Sequence, residues 1–79
     1  MNSVYVLMDI YENQLIDIFE SRYKAIFGAR DYILYMTREG SWDAWEKEIA
    51  IFKSTDAMAI EQVLTESYPF LVIKERIVK

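Results

Sequence analysis

The chain predicts a small two-layer α+β domain: an antiparallel sheet of three to four strands with helices on one face. Three features of the sequence point there. Residues 4–19 hold two runs of β-branched and aromatic residues around a short polar break. Residues 22–37 and 56–67 repeat apolar residues at three- and four-residue steps. Residues 70–78 close the chain on Val and Ile. Together they give β-β-α-β-α-β, or β-β-α-α-α-β if residues 42–53 are helical. Seventy-nine residues make one domain, 1–79.

The opening pattern runs Val4-Tyr5-Val6-Leu7-Met8-Asp9-Ile10, breaks at Tyr11-Glu12-Asn13, and resumes at Gln14-Leu15-Ile16-Asp17-Ile18-Phe19. This is a hairpin signal. No Asn-Gly or Asp-Gly marks a two-residue turn, so side chains must set the register. A turn centred on Glu12 pairs Val6 with Ile18 and Met8 with Ile16. One face is then Val4, Val6, Met8, Ile10, Ile16 and Ile18, wholly aliphatic, and is expected to be the core face. The other carries Tyr5, Leu7, Asp9, Leu15, Asp17 and Phe19.

Ser21 suits the N-cap of a helix from Arg22 to about Thr37, with Ile26, Ala29, Ile33 and Met36 as its apolar stripe. Gly28 beside Ala29 marks close approach of that helix to the sheet. Gly40 is placed to end the helix in a left-handed conformation, and Ser41 to cap the next turn. Residues 42–53 are ambiguous. Trp42, Trp45, Ile49 and Phe52 have helical spacing, yet Glu48–Lys53 resembles a strand before a strong helix start at Ser54-Thr55-Asp56. The preferred reading is a helical turn at 42–45 and a strand at 47–53; the rival is one helix over Trp42–Lys53. Asp56–Ser67 then forms a helix with Met58, Ala59, Val63 and Leu64 in its stripe and Ile60 nearby, stopped by Pro69. Phe70–Val78 is the last strand.

Apolar content of 53% is high for a chain that buries roughly two-thirds of its surface. A sheet face bearing Tyr5, Leu7, Leu15 and Phe19 is seldom left to water, so those residues are expected to form a homodimer interface. Net charge is −4, which disfavours direct nucleic-acid binding and suits docking on a basic surface. No apolar run approaches the roughly 18 residues of a membrane span, and no basic-then-apolar leader opens the chain. The expected compartment is the cytoplasm.

Catalytic chemistry has little to work with. The chain lacks cysteine and histidine, removing thiol redox and metal sites and the commonest general base. Its glycines stand alone, so no phosphate loop exists, and no zinc or calcium spacing appears. We expect no enzyme, no cofactor and no metal. Asp9 and Asp17 share one sheet face in the expected register and are the most suggestive carboxylates. Trp42 and Trp45, flanked by Asp43, Glu46 and Glu48, form the other cluster: indoles that suit an interface hot spot among acids that suit a basic partner. The partner-binding set is thus Trp42, Asp43, Trp45, Glu46, Asp9 and Asp17.

The Val4-Tyr5-Val6-Leu7 strand, the Phe19-Glu20-Ser21 cap with Lys24-Ala25 behind it, and the closing Phe70–Val78 strand resemble small uncharacterised proteins of Firmicutes and their phages. That resemblance implies an accessory or phage-encoded origin, acting in the host cytoplasm, where short acidic proteins inhibit a host factor. The leading expectation is a non-enzymatic protein-interaction module inhibiting a host protein. A sharper version mimics DNA on a basic DNA-binding protein, although −4 is weak for a mimic unless a dimer doubles it. The alternative is a ligand-binding or sequestering homo-oligomer. In it Tyr5, Phe19 and Tyr23 line a pocket, and Arg22, Lys24 or Arg30 holds an anion.

Overall fold

The computed structural model describes residues 2–40 and 42–78. Strands β1 (Asn2–Asp9) and β2 (Gln14–Phe19) form the hairpin, followed by helices α1 (Arg22–Arg38), α2 (Glu46–Phe52) and α3 (Ala57–Ser67) and by strand β3 (Leu71–Val78). The order β-β-α-α-α-β is therefore the correct one. The sheet has three strands in the order β2-β1-β3, antiparallel throughout.

The local signals for α1 and α3 are obeyed. Ser21 is extended, and its hydroxyl accepts the Lys24 N–H at 3.1 Å. Asp56 caps α3, accepting from the N–H groups of Met58 and Ala59. Gly40 ends α1 with φ of 80°; the expected Ser41 cap lies outside the described residues. Ala25, Ile26, Ala29 and Ile33 are the buried stripe of α1. In α3 the stripe centres on Ile60 and Leu64, and Met58 turns to solvent. The core joins these to Leu7, Phe52, Tyr68 and Leu71.

The expected strand at 47–53 is a seven-residue helix instead. An alternating strand would divide its apolar residues between two faces. The helix drives Phe52 fully into the core, half-buries Ile49 and Ile51, and leaves Ala50 outside. Glu46 and Glu48 in its first turn favour the helix electrostatically. The expected helical turn at 42–45 is absent: residues 43–45 have no regular structure, and Trp45 is extended.

The expected core face is also reversed. Val6 does pair with Ile18, but the register shifts between Leu7 and Met8, so Met8 pairs with Leu15. Ile16 is left as the extra residue of a β-bulge and packs against the core. Helices cover the face of Leu7, Asp9, Leu71 and Ile73; Leu7 is 0% exposed. The open face carries Val4, Val6, Met8, Leu15, Ile18 and Val72, bordered by Lys74 and Arg76. Asp9 lies on the covered face, and its carboxylate is buried rather than solvated.

The expected interface of Tyr5, Leu7, Leu15 and Phe19 therefore dissolves. Leu7 is core, and Phe19 packs against it. Tyr5 lies on the helix side, donating its hydroxyl to Glu75 at 3.4 Å. Leu15 alone of the set stays on the open face.

Gly28 is the close approach that the sequence announces. A Cβ there would fall 2.1 Å from the Phe19 ring. In an ordinary helix interior, Gly→Ala would gain about 1 kcal/mol. Here Gly28→Ala should instead lower the urea midpoint, because the ring must move. In a Phe19→Ala background the same change should raise it. A gain in both backgrounds would mean that the contact exerts no constraint.

Candidate functional site

The site is built on the β1–β2 turn. One carboxylate oxygen of Asp9 accepts the backbone N–H groups of Tyr11 and Glu12 at 3.0 and 3.1 Å. This is how Asp closes a turn lacking glycine. Asn13 supplies the left-handed residue, with φ of 52°. The Ile10 N–H donates to the Phe70 carbonyl at 2.9 Å, tying the turn to the chain entering β3.

Aromatic rings follow from that tie. Tyr11 stacks on Phe70 with centroids 5.4 Å apart and planes 13° apart. Trp42, held by a backbone N–H bond to the Met36 carbonyl, stands at 90° to Phe70 and at 83° to Tyr32. Between them lies a cleft of about 330 Å³ lined by Asp9, Tyr11, Glu12, Gln14, Tyr32, Met36, Trp42 and Phe70. Burial, then the charges of Asp9 and Glu12, push the Tyr32 phenol up from its ordinary range.

A second cleft, about 430 Å³, is lined by Asp43, Trp45, Glu48, Ser67 and Tyr68. Trp42 stacks on Tyr68, so the two clefts meet at an aromatic wall. The Tyr68 hydroxyl donates to Glu48 at 3.2 Å. Among the described residues no Lys or Arg lines either cleft; Lys47 lines a separate groove along α2 and α3.

The structure thus brings Asp9 and Trp42 together, and places Asp43 with Trp45 next door. Trp42 packs on the core, whereas Trp45 is 77% exposed. Glu46 is exposed in the first turn of α2. Asp17 stands apart: it is exposed opposite Leu7, and its carboxylate accepts the Ile18 N–H. Sequence reasoning placed Glu48 in the tryptophan cluster but missed Tyr11, Glu12, Tyr32, Tyr68 and Phe70. An aromatic residue next to an acid in a hairpin turn was the available signal.

Among the described residues no three acidic side chains gather to hold a metal ion. No helix is long and apolar enough to cross a membrane. The residues named for anion binding do converge in part: Phe19, Tyr23, Lys24 and Arg30 line an open groove of about 580 Å³. Tyr5 and Arg22 are not among its lining residues, and both lining cations are already engaged. Lys24 pairs with Glu20. Arg30 pairs with Asp31, donates to the Phe52 carbonyl and lies 4.7 Å over the Phe27 ring.

Burial, then the Glu48 charge and hydrogen bond, push the Tyr68 phenol up from 10.0 to about 12. The folded chain keeps this proton at pH values where the unfolded chain releases it. Stability is therefore present in full below about pH 10 and falls as pH rises toward 12. Urea titrations across that window should show a shallower decline for Tyr68→Phe. An equal decline would place the ionisation elsewhere.

No protein-family model, curated protein or solved structure matches the chain.

Proposed function

We propose that the protein is a non-enzymatic interaction module, a small acidic inhibitor of phage type that docks on a basic surface of a host protein. One observation carries the reading: two adjoining clefts combine aromatic walls with the carboxylates of Asp9, Glu12, Asp43 and Glu48, with no basic residue among the described residues lining either. A solvated face has no need of an exposed Trp45 beside paired acids, whereas a protein contact uses both, ring for area and charge for register. In the sharper form of this reading the host protein binds DNA and the carboxylates stand in for phosphates.

Trp45→Ala and Asp43→Asn should leave thermal stability within about 0.5 kcal/mol, because both side chains are exposed. Immobilised wild type should retain one stoichiometric host protein from bacterial lysate at low salt and release it at high salt, and both variants should fail to retain it. Retention by both variants would remove the clefts from the contact. A complex indifferent to salt would remove the DNA-mimic form.

A second copy takes the open sheet face in this reading. Val4, Val6, Met8, Leu15, Ile18 and Val72 form an aliphatic surface on one side of the sheet, which docking on a copy would take from water. Sedimentation should give a dimer at micromolar concentration, and Ile18→Lys should give a monomer of unchanged circular dichroism. A wild-type monomer at high micromolar concentration would end the dimer proposal.

A further inference from the structure

We infer that the cleft between the hairpin turn and Trp42 is a receptor for the guanidinium group of an arginine on the partner protein. The inference rests on the interaction reading of this same site and names what the site recognises.

Asp9 supplies the first argument. It is 2% exposed, and the two turn N–H groups occupy one of its oxygens. The second oxygen has no hydrogen-bond partner among the described residues. No side-chain polar atom of those residues is both sealed from the surface and unpaired. That oxygen therefore keeps some contact with the surface, and Asp9 lines the cleft. A carboxylate so nearly buried is costly unless its charge is met, and beyond the two turn N–H groups no cation among the described residues lines the cleft.

Ring geometry supplies the second. Phe70 and Trp42 stand at 90°, and Trp42 and Tyr32 at 83°, so the rings lining the cleft differ in orientation. A cation among such faces is attracted by each. The volume of about 330 Å³ lies near the lower end of the pocket range, roughly 300–1,000 Å³. It is room for one long side chain.

The acceptors select guanidinium over ammonium. Asp9, Glu12, Gln14 and Tyr32, each with a side-chain oxygen able to accept, line the same space. A guanidinium has five donors in a plane, stacks on rings and sheds water more readily than an ammonium. A lysine has a compact, strongly hydrated charge, and a trimethylated lysine has no donor to satisfy Asp9 or Glu12.

The test uses Trp45→Phe, which leaves Trp42 as the one indole, since the chain has two. Short Gly-Ser peptides carrying a single arginine, lysine or trimethyllysine serve as probes. Trp42 fluorescence should respond to the arginine peptide at roughly millimolar affinity, and to the lysine and trimethyllysine peptides at least tenfold more weakly. Glu12→Gln, at an exposed turn position, should weaken arginine binding about tenfold with an unchanged melting curve. Asp9→Asn, which keeps the acceptor of the turn, should abolish it; if that variant unfolds, Glu12→Gln decides. Preference for trimethyllysine, or no Trp42 response at all, would overturn the inference. If host-protein capture still depends on Trp45 and Asp43 in that event, the interaction module stands without its arginine receptor. Arginine binding in a chain that retains no host protein would keep the receptor and overturn the partner reading.

Discussion

A single buried carboxylate sets the geometry on which much of this fold depends. Asp9 ends the central strand and is 2% exposed on the face that the helices cover. Its hydrogen bonds to the Tyr11 and Glu12 N–H groups close the turn without glycine. Charge-assisted bonds of this kind are roughly twice as strong as neutral ones and offset part of the cost of burial. Closing the turn there determines where β2 begins and brings the Ile10 N–H to the Phe70 carbonyl. The hairpin tip is thereby held against the start of β3, and Tyr11 is held against Phe70. The same residue thus orders the sheet and forms part of the acidic cleft.

Helix boundaries were legible because they rest on local chemistry. Ser21, Asp56 and Gly40 do what their side chains or lack of one dictate within a few residues. Gly28 was legible too, since a glycine beside Ala29 in a packing stripe has few other uses. Which sheet face is inside was not legible. Both faces are apolar, and the sign of the choice turned on Asp9, whose partners are backbone groups of the turn. A rule that sends carboxylates to water fails where the backbone itself solvates them. The bulge at Ile16 is similarly hidden, for it shifts the register without any glycine to mark it.

The segment 46–52 shows tertiary context overriding local appearance. Ile49-Ala50-Ile51-Phe52 has the composition of a strand, but Phe52 fills the core with Leu7, Ile33 and Ile60 as a helical side chain. For the site, the two tryptophans and their flanking acids were readable as a cluster. Their division was not: Trp42 is drawn inward by Tyr32, Tyr68 and Phe70, from parts of the chain far from it in sequence. Asp9 joins Trp42 only because β1 and the loop after α1 meet at one end of the sheet.

Net charge understates what that end presents. Nine basic residues oppose thirteen acidic ones, but they are not spread evenly among them. Arg22 pairs with Glu61, Lys24 with Glu20 and Arg30 with Asp31. Such exposed pairs add little stability, yet each removes a cation from the rest of the surface. Lys74 and Arg76 stand on the open sheet face. The carboxylates of Asp9, Glu12, Asp43 and Glu48 therefore line their clefts beside aromatic rings, with no lining cation among the described residues. Salt screens the exposed Glu12 and Asp43 readily and the buried Asp9 least. A field of this kind is local to the clefts, and a modest −4 for the whole chain is compatible with a strongly negative receptor at one end.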